Sequence, residues 1–183
     1  MRPDFNRVIS ELDLLGILAE FDPVVIGTPP LGIATENSDI DIACSADDLE
    51  RFADLAEQEF ASLKGFSKRF LEIHDEAAVV VSFDSSGWEI ELFCQRLDIE
   101  DQWGVRHFRI EQRLLRLEPR LRLEVHRLKQ RGLKTEPAFA KALNLDGDPY
   151  QAILDLENET EVSLRKLLEG FRKPDRSARI GET

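Results

Sequence analysis

The chain has 183 residues, of which 42% are hydrophobic and 33% are charged, a composition typical of a soluble globular protein. Its formal net charge of −12 argues against a long nucleic-acid-binding surface. No apolar run approaches the length of a membrane span, and the N-terminal residues lack the apolar core of a signal peptide. We therefore expect a cytoplasmic protein without membrane contact, built as one domain or as one domain with a helical extension.

The first hundred residues combine helical and strand-like patterns. Apolar residues at helical spacing predict a helix over 4–19, and Pro29, Pro30 and Gly32 indicate a loop shortly after it. Ser45 is expected to cap a helix that continues to residue 60. Short apolar or alternating runs predict five strands, at 23–27, 38–44, 67–75, 77–83 and 87–95. This order of elements predicts an α+β fold for residues 1–100.

The second half of the chain carries helical spacing only. Helices are predicted at 102–117, 119–132, 135–145, 148–156 and 159–171. Residues 101–171 should therefore form a C-terminal helical region, and 172–183 a flexible tail with few apolar side chains. Thr135 and Asp148 are the expected N-caps of two of these helices.

Charge is distributed unevenly along the sequence. Residues 1–105 contain 7 Lys/Arg and 23 Asp/Glu, whereas 106–134 contain 10 and 3, a local balance of +7. A basic segment in an acidic chain can attract an anion such as a nucleotide or a tRNA backbone. It can equally be a solvated helix face that pairs with acidic neighbours.

Two predicted strands place acidic side chains opposite an apolar face. Because residues two apart on a strand face the same way, Asp39 and Asp41 point together, away from Ile40 and Ile42. The stretch "GWEIELF" repeats the pattern, with Glu89 and Glu91 sharing one face. If the two strands are neighbours, three or four carboxylates converge, and such a cluster repels itself unless a cation neutralises it. Hard oxygen ligands suit Mg²⁺, and a two-metal site can hold both oxygens of a phosphoryl-type transfer.

A Gly-Thr turn precedes the first acidic strand. Gly27 would let backbone N–H groups approach a phosphate, and the Thr28 hydroxyl could donate to it. The alternative is that the acidic strands simply mark a solvated surface, but the combination of the turn with two acid-bearing strands favours an anion and metal site. The spacing alone does not decide between Glu89 and Glu91.

These residues resemble the nucleotidyltransferase fold superfamily, the group related to DNA polymerase beta and the aminoglycoside nucleotidyltransferases. The matching pattern is Ile26-Gly27-Thr28, ten intervening residues, and Asp39-Ile40-Asp41-Ile42. Thr28 stands where the superfamily usually has Gly or Ser. The resemblance implies an α+β fold with a nucleotidyltransferase-like mixed β-sheet, flanking helices and a C-terminal helical region. Over about residues 20–157 the chain also resembles a narrower, uncharacterised bacterial family of that superfamily, through "GTPPLGI", "SDIDI", "IELFCQ", "RHFRIEQRLL" and "GLKTEPAFAKALNLDGDPYQAILDLE".

The resemblance implies a function and a set of roles. Asp39, Asp41 and Glu91 would be the catalytic and metal-binding carboxylates, with Glu91 favoured over Glu89 as the third acid. Gly27, Thr28 and Ser38 would bind the triphosphate of an NTP donor in the presence of Mg²⁺, for which Mn²⁺ can substitute. The reaction would move an NMP group to an unidentified hydroxyl acceptor, either a small molecule, an RNA or a protein.

Arg106 and His107 are further candidates for contact with phosphate or acceptor. They follow the third acidic strand, and His107 lies four residues before Glu111 on a predicted helix face. An ordinary helix ion pair explains the same pattern equally well. Two other functions fit the sequence: a non-catalytic nucleotide-binding sensor, and a toxin–antitoxin component that modifies or restrains a tRNA or protein partner.

Overall fold

The computed structural model of the chain describes residues 2–172 and contains helices and one mixed sheet. The helices are α1 (Phe5–Glu11), α2 (Leu14–Ile17), α3 (Thr28–Leu31), α4 (Leu49–Phe60), α5 (Trp103–Leu117), α6 (Leu121–Gln130), α7 (Thr135–Leu143), α8 (Pro149–Leu154) and α9 (Glu161–Arg172). The strands are β1 (Val24–Ile26), β2 (Ile40–Ser45), β3 (Lys64–Ile73), β4 (Glu76–Ser85) and β5 (Trp88–Gln95). The α+β class predicted from the sequence is confirmed.

The five strands form one sheet in the order β1-β2-β5-β4-β3. Only the β2–β5 pair is parallel, and the other three pairs are antiparallel. The parallel pair joins segments that lie far apart in the sequence, which requires the chain to cross over through α4 and the β3–β4 hairpin. This crossover brings the two acid-bearing strands side by side at the centre of the sheet.

One face of the sheet carries the hydrophobic core of the first half. Ile40, Ile42, Ile90 and Leu92 are fully buried there and pack with residues from α1, α2 and α4. Burial of this apolar surface is the main driving force for folding of this part of the chain. Cys44 and Cys94 are free thiols buried in this core.

The described residues divide into two compact units, 2–109 and 110–172, with the boundary inside α5. In the second unit α7 packs against α6, α8 and α9. The tail predicted for 172–183 falls outside the described residues, except for residue 172 at the end of α9. No helix in the described part of the chain is long and apolar enough to span a membrane.

Three local predictions were wrong. The single helix expected over 4–19 breaks at Asp13, which adopts a left-handed conformation with φ 48°, and Gly16 leaves the room that the Asp13 carboxylate occupies. The loop expected after β1 begins with the one-turn helix α3. Ser45 does not cap α4, because it still belongs to β2 and its hydroxyl donates to Leu97 O at 2.8 Å. Asp48 caps α4 instead, by accepting from the Arg51 N–H.

The two helix caps predicted in the second half had different outcomes. Asp148 caps α8 as expected, since its side chain accepts from the Gln151 N–H. Thr135 is not an N-cap but the first residue of α7, and its hydroxyl accepts from Lys129 Nζ at 2.9 Å.

Candidate active site

The acidic residues of the two central strands are direct neighbours. In the parallel β2–β5 pair, Asp41 lies opposite Glu91. Asp39, Asp41 and Glu91 are half-buried. Ile40 and Ile42, which alternate with the two aspartates, are fully buried on the other face. The condition on which the predicted carboxylate cluster depended, that the two strands pair, is therefore met.

The structure distinguishes Glu91 from Glu89 by burial and by register. Both lie on the same face of β5, but Glu89 is exposed. Its partner in the neighbouring strand β4 is Asp84. Glu91 is half-buried and is the residue opposite Asp41. Glu91 is thus the carboxylate that faces the Asp-x-Asp segment most directly.

Like charges crowd the Glu91 carboxylate. Burial raises its pKa, the neighbouring Asp39 carboxylate raises it further, and the Arg69 guanidinium partly opposes them, with a smaller upward contribution from Glu89. A carboxyl group with a raised pKa in a half-buried cluster holds a proton more readily than a surface glutamate does. The site therefore favours bound positive charge, either a proton or a cation.

Gly27 is required by the position of Asp41. Its backbone has φ 78° and ψ −161°, a conformation that is essentially restricted to glycine. A Cβ atom at this position would overlap Asp41 Oδ2. The absence of a side chain thus lets the carboxylate of β2 lie directly against the end of β1.

Thr28 and Ser38 form a buried hydrogen-bonded pair between the two ends of the loop that follows Gly27. Thr28 Oγ1 donates to Ser38 Oγ at 2.9 Å, and the Thr35 N–H donates to the same oxygen at 2.9 Å. The Thr28 hydroxyl is therefore used inside the protein, while the Ser38 proton has only a long 3.5 Å contact with Thr35 Oγ1. Pro29 and Pro30, which follow Thr28 in α3, supply no N–H groups.

Arg2 holds the loop that leads into the Asp-x-Asp segment, a role that sequence reasoning missed. Its guanidinium donates to three backbone carbonyls of this loop, those of Thr35 at 2.5 Å, Glu36 at 3.2 Å and Ser38 at 2.7 Å. It also lies over the Trp88 ring, 3.4 Å from the centroid. No pattern in the sequence indicates these contacts, because every one of these partners is 33 or more residues away from Arg2.

Arg106 and His107 lie in the first two turns of α5. His107 is buried, its Nδ1 is 3.0 Å from Trp103 O, and its ring meets the Trp103 ring edge-on at 6.1 Å. The Trp103 ring in turn stacks on His74 at 4.0 Å. His107 thus takes part in an aromatic cluster, while Arg106 beside it is half-buried. These contacts assign neither residue to a ligand.

The carboxylates fit a divalent cation in ligand type. Asp39, Asp41 and Glu91 supply the hard oxygen donors that Mg²⁺ prefers. Among residues 2–172, however, no three Asp, Glu, His or Cys side chains are gathered closely enough, as they stand, to hold a metal ion. The Asp41 carboxylate lies against Gly27.

The family comparison identifies the chain over most of its length. Residues 7–156 match the family described as "Domain of unknown function (DUF4269)". The chain belongs to this family. No curated protein matches the DUF4269 chain described here.

Solved structures with a similar fold include the Cid1 poly(U) polymerase and the GLD-2/RNP-8 complex. The Cid1 poly(U) polymerase bound to MgGTP has a TM-score of 0.58 at 16% identity, covering 92% of this chain and 66% of that one. Cid1 with the UTP analogue UMPNPP gives 0.57 at 16% identity, covering 92% and 65%. The GLD-2/RNP-8 complex gives 0.50 at 14% identity, covering 97% and 67%. This DUF4269 chain therefore has the nucleotidyltransferase fold, and it spans just under two thirds of the length of the Cid1 chains.

Proposed function

We propose that the protein is a metal-dependent nucleotidyltransferase that moves an NMP group from an NTP to a hydroxyl acceptor and releases pyrophosphate. The observation that carries the proposal is the register of Asp41 opposite Glu91, with Gly27 directly against Asp41. The fold shared with Cid1, solved with MgGTP and with a UTP analogue, supports it.

Each residue would have a distinct role. Asp39 and Asp41 would hold Mg²⁺ or Mn²⁺, with Glu91 completing the ligand set. The bound cation would neutralise charge that develops on the reacting phosphate. Gly27 and Ser38 would contact the triphosphate, while Thr28 would hold Ser38 in place through the 2.9 Å hydrogen bond between their hydroxyls.

Glu91 would also take the proton of the acceptor hydroxyl. Its raised pKa brings the carboxylate closer to the operating pH, which suits a general base. The acceptor oxygen then forms a bond to the α-phosphorus, and the bond between that phosphorus and the pyrophosphate oxygen breaks. RNA and protein hydroxyls remain eligible acceptors, as do those of small molecules.

Calorimetric titration of each of the four NTPs, with and without Mg²⁺, tests the proposal on the wild type, Asp41→Asn and Glu89→Gln. We expect Mg²⁺-dependent binding that Asp41→Asn loses and the exposed Glu89→Gln control keeps. Binding that needs no metal and survives Asp41→Asn would instead support a non-catalytic nucleotide sensor, in line with the unconverged carboxylates. Loss of binding in both variants alike would contradict the assigned ligand set.

A further inference from the structure

A row of polar side chains continues from the carboxylates toward the edge of the sheet. Glu91 on β5 lies opposite Ser82 on β4, and Ser82 lies opposite Ser67 on β3. Directly opposed residues in a sheet point to the same face. Asp41, Glu91, Ser82 and Ser67 therefore form one transverse row over four strands, on the face opposite the core.

The two serines of this row bind each other. Their Oγ atoms are 2.9 Å apart and both residues are half-buried. Each hydroxyl carries one proton, and the contact between them uses only one of the two. The pair consequently keeps one hydroxyl proton and several lone pairs for a ligand that lies beside Glu91.

Arg69 contributes a positive charge to this face. It lies two residues after Ser67 on β3 and therefore points the same way, and its side chain is exposed. Its charge acts on the Glu91 carboxylate. Within residues 2–172 its guanidinium has no salt-bridge partner, whereas Lys64 pairs with Asp84 and Lys68 pairs with Glu57.

The strand order separates Ser67, Ser82 and Arg69 from the loop after β1 that is proposed to bind the triphosphate. Gly27 follows β1, on one flank of the carboxylates, whereas Ser82, Ser67 and Arg69 lie on β4 and β3, on the other flank. Neighbouring strands are about 4.8 Å apart, so the outer strands are separated by roughly 19 Å. If the NTP binds on the β1 side of the carboxylates, the β4–β3 side is left for the acceptor substrate.

We propose that Ser67, Ser82 and Arg69 form the acceptor subsite, and that the acceptor carries a phosphate close to its reactive hydroxyl. The inference rests on the proposed transferase function. The hydroxyl would lie beside Glu91 and Ser82, with its proton passing to Glu91 as the new phosphate ester forms and pyrophosphate leaves. The phosphate would pair with Arg69, whose planar guanidinium binds phosphate oxygens through two parallel hydrogen bonds.

Binding of two phosphorylated probes tests the subsite without catalysis. The probes are a fluorescein-labelled hexaribonucleotide with a free 3′-hydroxyl, followed by anisotropy, and ribose 5-phosphate, followed by calorimetry. The full chain is compared as wild type, Arg69→Ala, Arg69→Lys and Lys68→Ala. Lys68→Ala is the matched control, because it removes the same charge one residue away on the opposite face of β3.

We expect at least one probe to bind the wild type, and Arg69→Ala to weaken it by about tenfold or more, as for a lost charge-assisted hydrogen bond. Arg69→Lys should restore part of the loss, and Lys68→Ala should change binding less than twofold. Binding of the oligonucleotide alone indicates a nucleic-acid acceptor, and binding of ribose 5-phosphate alone indicates a small phosphorylated sugar. No binding of either probe, or equal losses in the two alanine variants, would overturn the proposal.

Transfer of label from α-³²P-NTPs separates this inference from the proposed function. Arg69→Ala should raise the KM for the acceptor and leave the KM for the NTP unchanged. If the probes bind through Arg69 but the wild type labels no acceptor, the transferase proposal fails while the phosphate site stands. If label is transferred and Arg69→Ala leaves the acceptor KM unchanged, the subsite is wrongly assigned while the transferase proposal stands.

Discussion

Replacing Gly27 with alanine tests whether the turn after β1 exists to place Asp41. The backbone at this position, with φ 78° and ψ −161°, costs an L-residue of order 1–3 kcal/mol. The added Cβ would overlap Asp41 Oδ2, and because such contacts essentially never fall under 3.0 Å, the carboxylate must move. A displacement of about 1 Å is enough to cost a catalytic group on the order of 100-fold in rate.

The two effects of Gly27→Ala can be separated with Gly147→Ala as a control. Gly147 also has a positive φ, +88°, but a Cβ there meets no atom within 4 Å. Thermal unfolding should show both variants destabilised, by about 2–4 °C for each kcal/mol lost. In the calorimetric titration with Mg²⁺ and NTP, only Gly27→Ala should lose binding. Wild-type affinity in Gly27→Ala, or an equal loss in Gly147→Ala, would refute the argument that Gly27 places Asp41.

Two further predictions concern residues outside the carboxylate cluster. Arg2→Ala should lower the free energy of unfolding by about 1–3 kcal/mol, because it removes the hydrogen bonds to the loop carbonyls and the contact with the Trp88 ring. The control Arg7→Ala, at an exposed position, should change this free energy little. Equal denaturant midpoints for these two variants would contradict the role of Arg2. Glu111 is buried, and burial raises its pKa well above 4.5, with Glu136 adding to this and Lys129 opposing it. Since the folded state then binds a proton that the unfolded state loses above pH 4.5, stability should fall as pH rises through this window. Glu111→Gln should make that fall smaller in denaturant titrations between pH 5 and 8, and the raised pKa of Glu91 should account for part of what is left.

The faces of the strands could be predicted from the sequence, but their partners could not. Alternation alone separates Asp39 and Asp41 from Ile40 and Ile42, because the side-chain period of a strand is two. The pairing of Asp41 with Glu91 depends on a crossover through α4 and the β3–β4 hairpin, and no local pattern encodes that register. Spacing alone therefore left Glu89 and Glu91 open, and it was the resemblance to the nucleotidyltransferase superfamily that favoured Glu91.

Contacts made by polar groups were also beyond prediction. The 2.9 Å hydrogen bond between Thr28 and Ser38 depends on how the chain folds back after Gly27. The Arg2 contacts with loop carbonyls depend on an irregular segment that has no periodicity. Ser45 was a reasonable cap by residue type, but its hydroxyl is used by Leu97 O, a partner 52 residues away. Residue type indicates what a side chain can bind, whereas tertiary structure decides which partner it meets.

The hydrophobic core fixes the register of the candidate site. A shift of β2 by one residue would move Ile40 and Ile42, both fully buried, to the acid-bearing face and turn Asp39 and Asp41 into the core. Burial of two unpaired carboxylates costs far more than any gain from an alternative pairing. Because the apolar and acidic residues alternate on the same strand, the energy that forms the core also holds Asp41 opposite Glu91. The site can therefore keep repelling carboxylates side by side before any cation binds, since the cost of that repulsion is small beside the cost of losing the register.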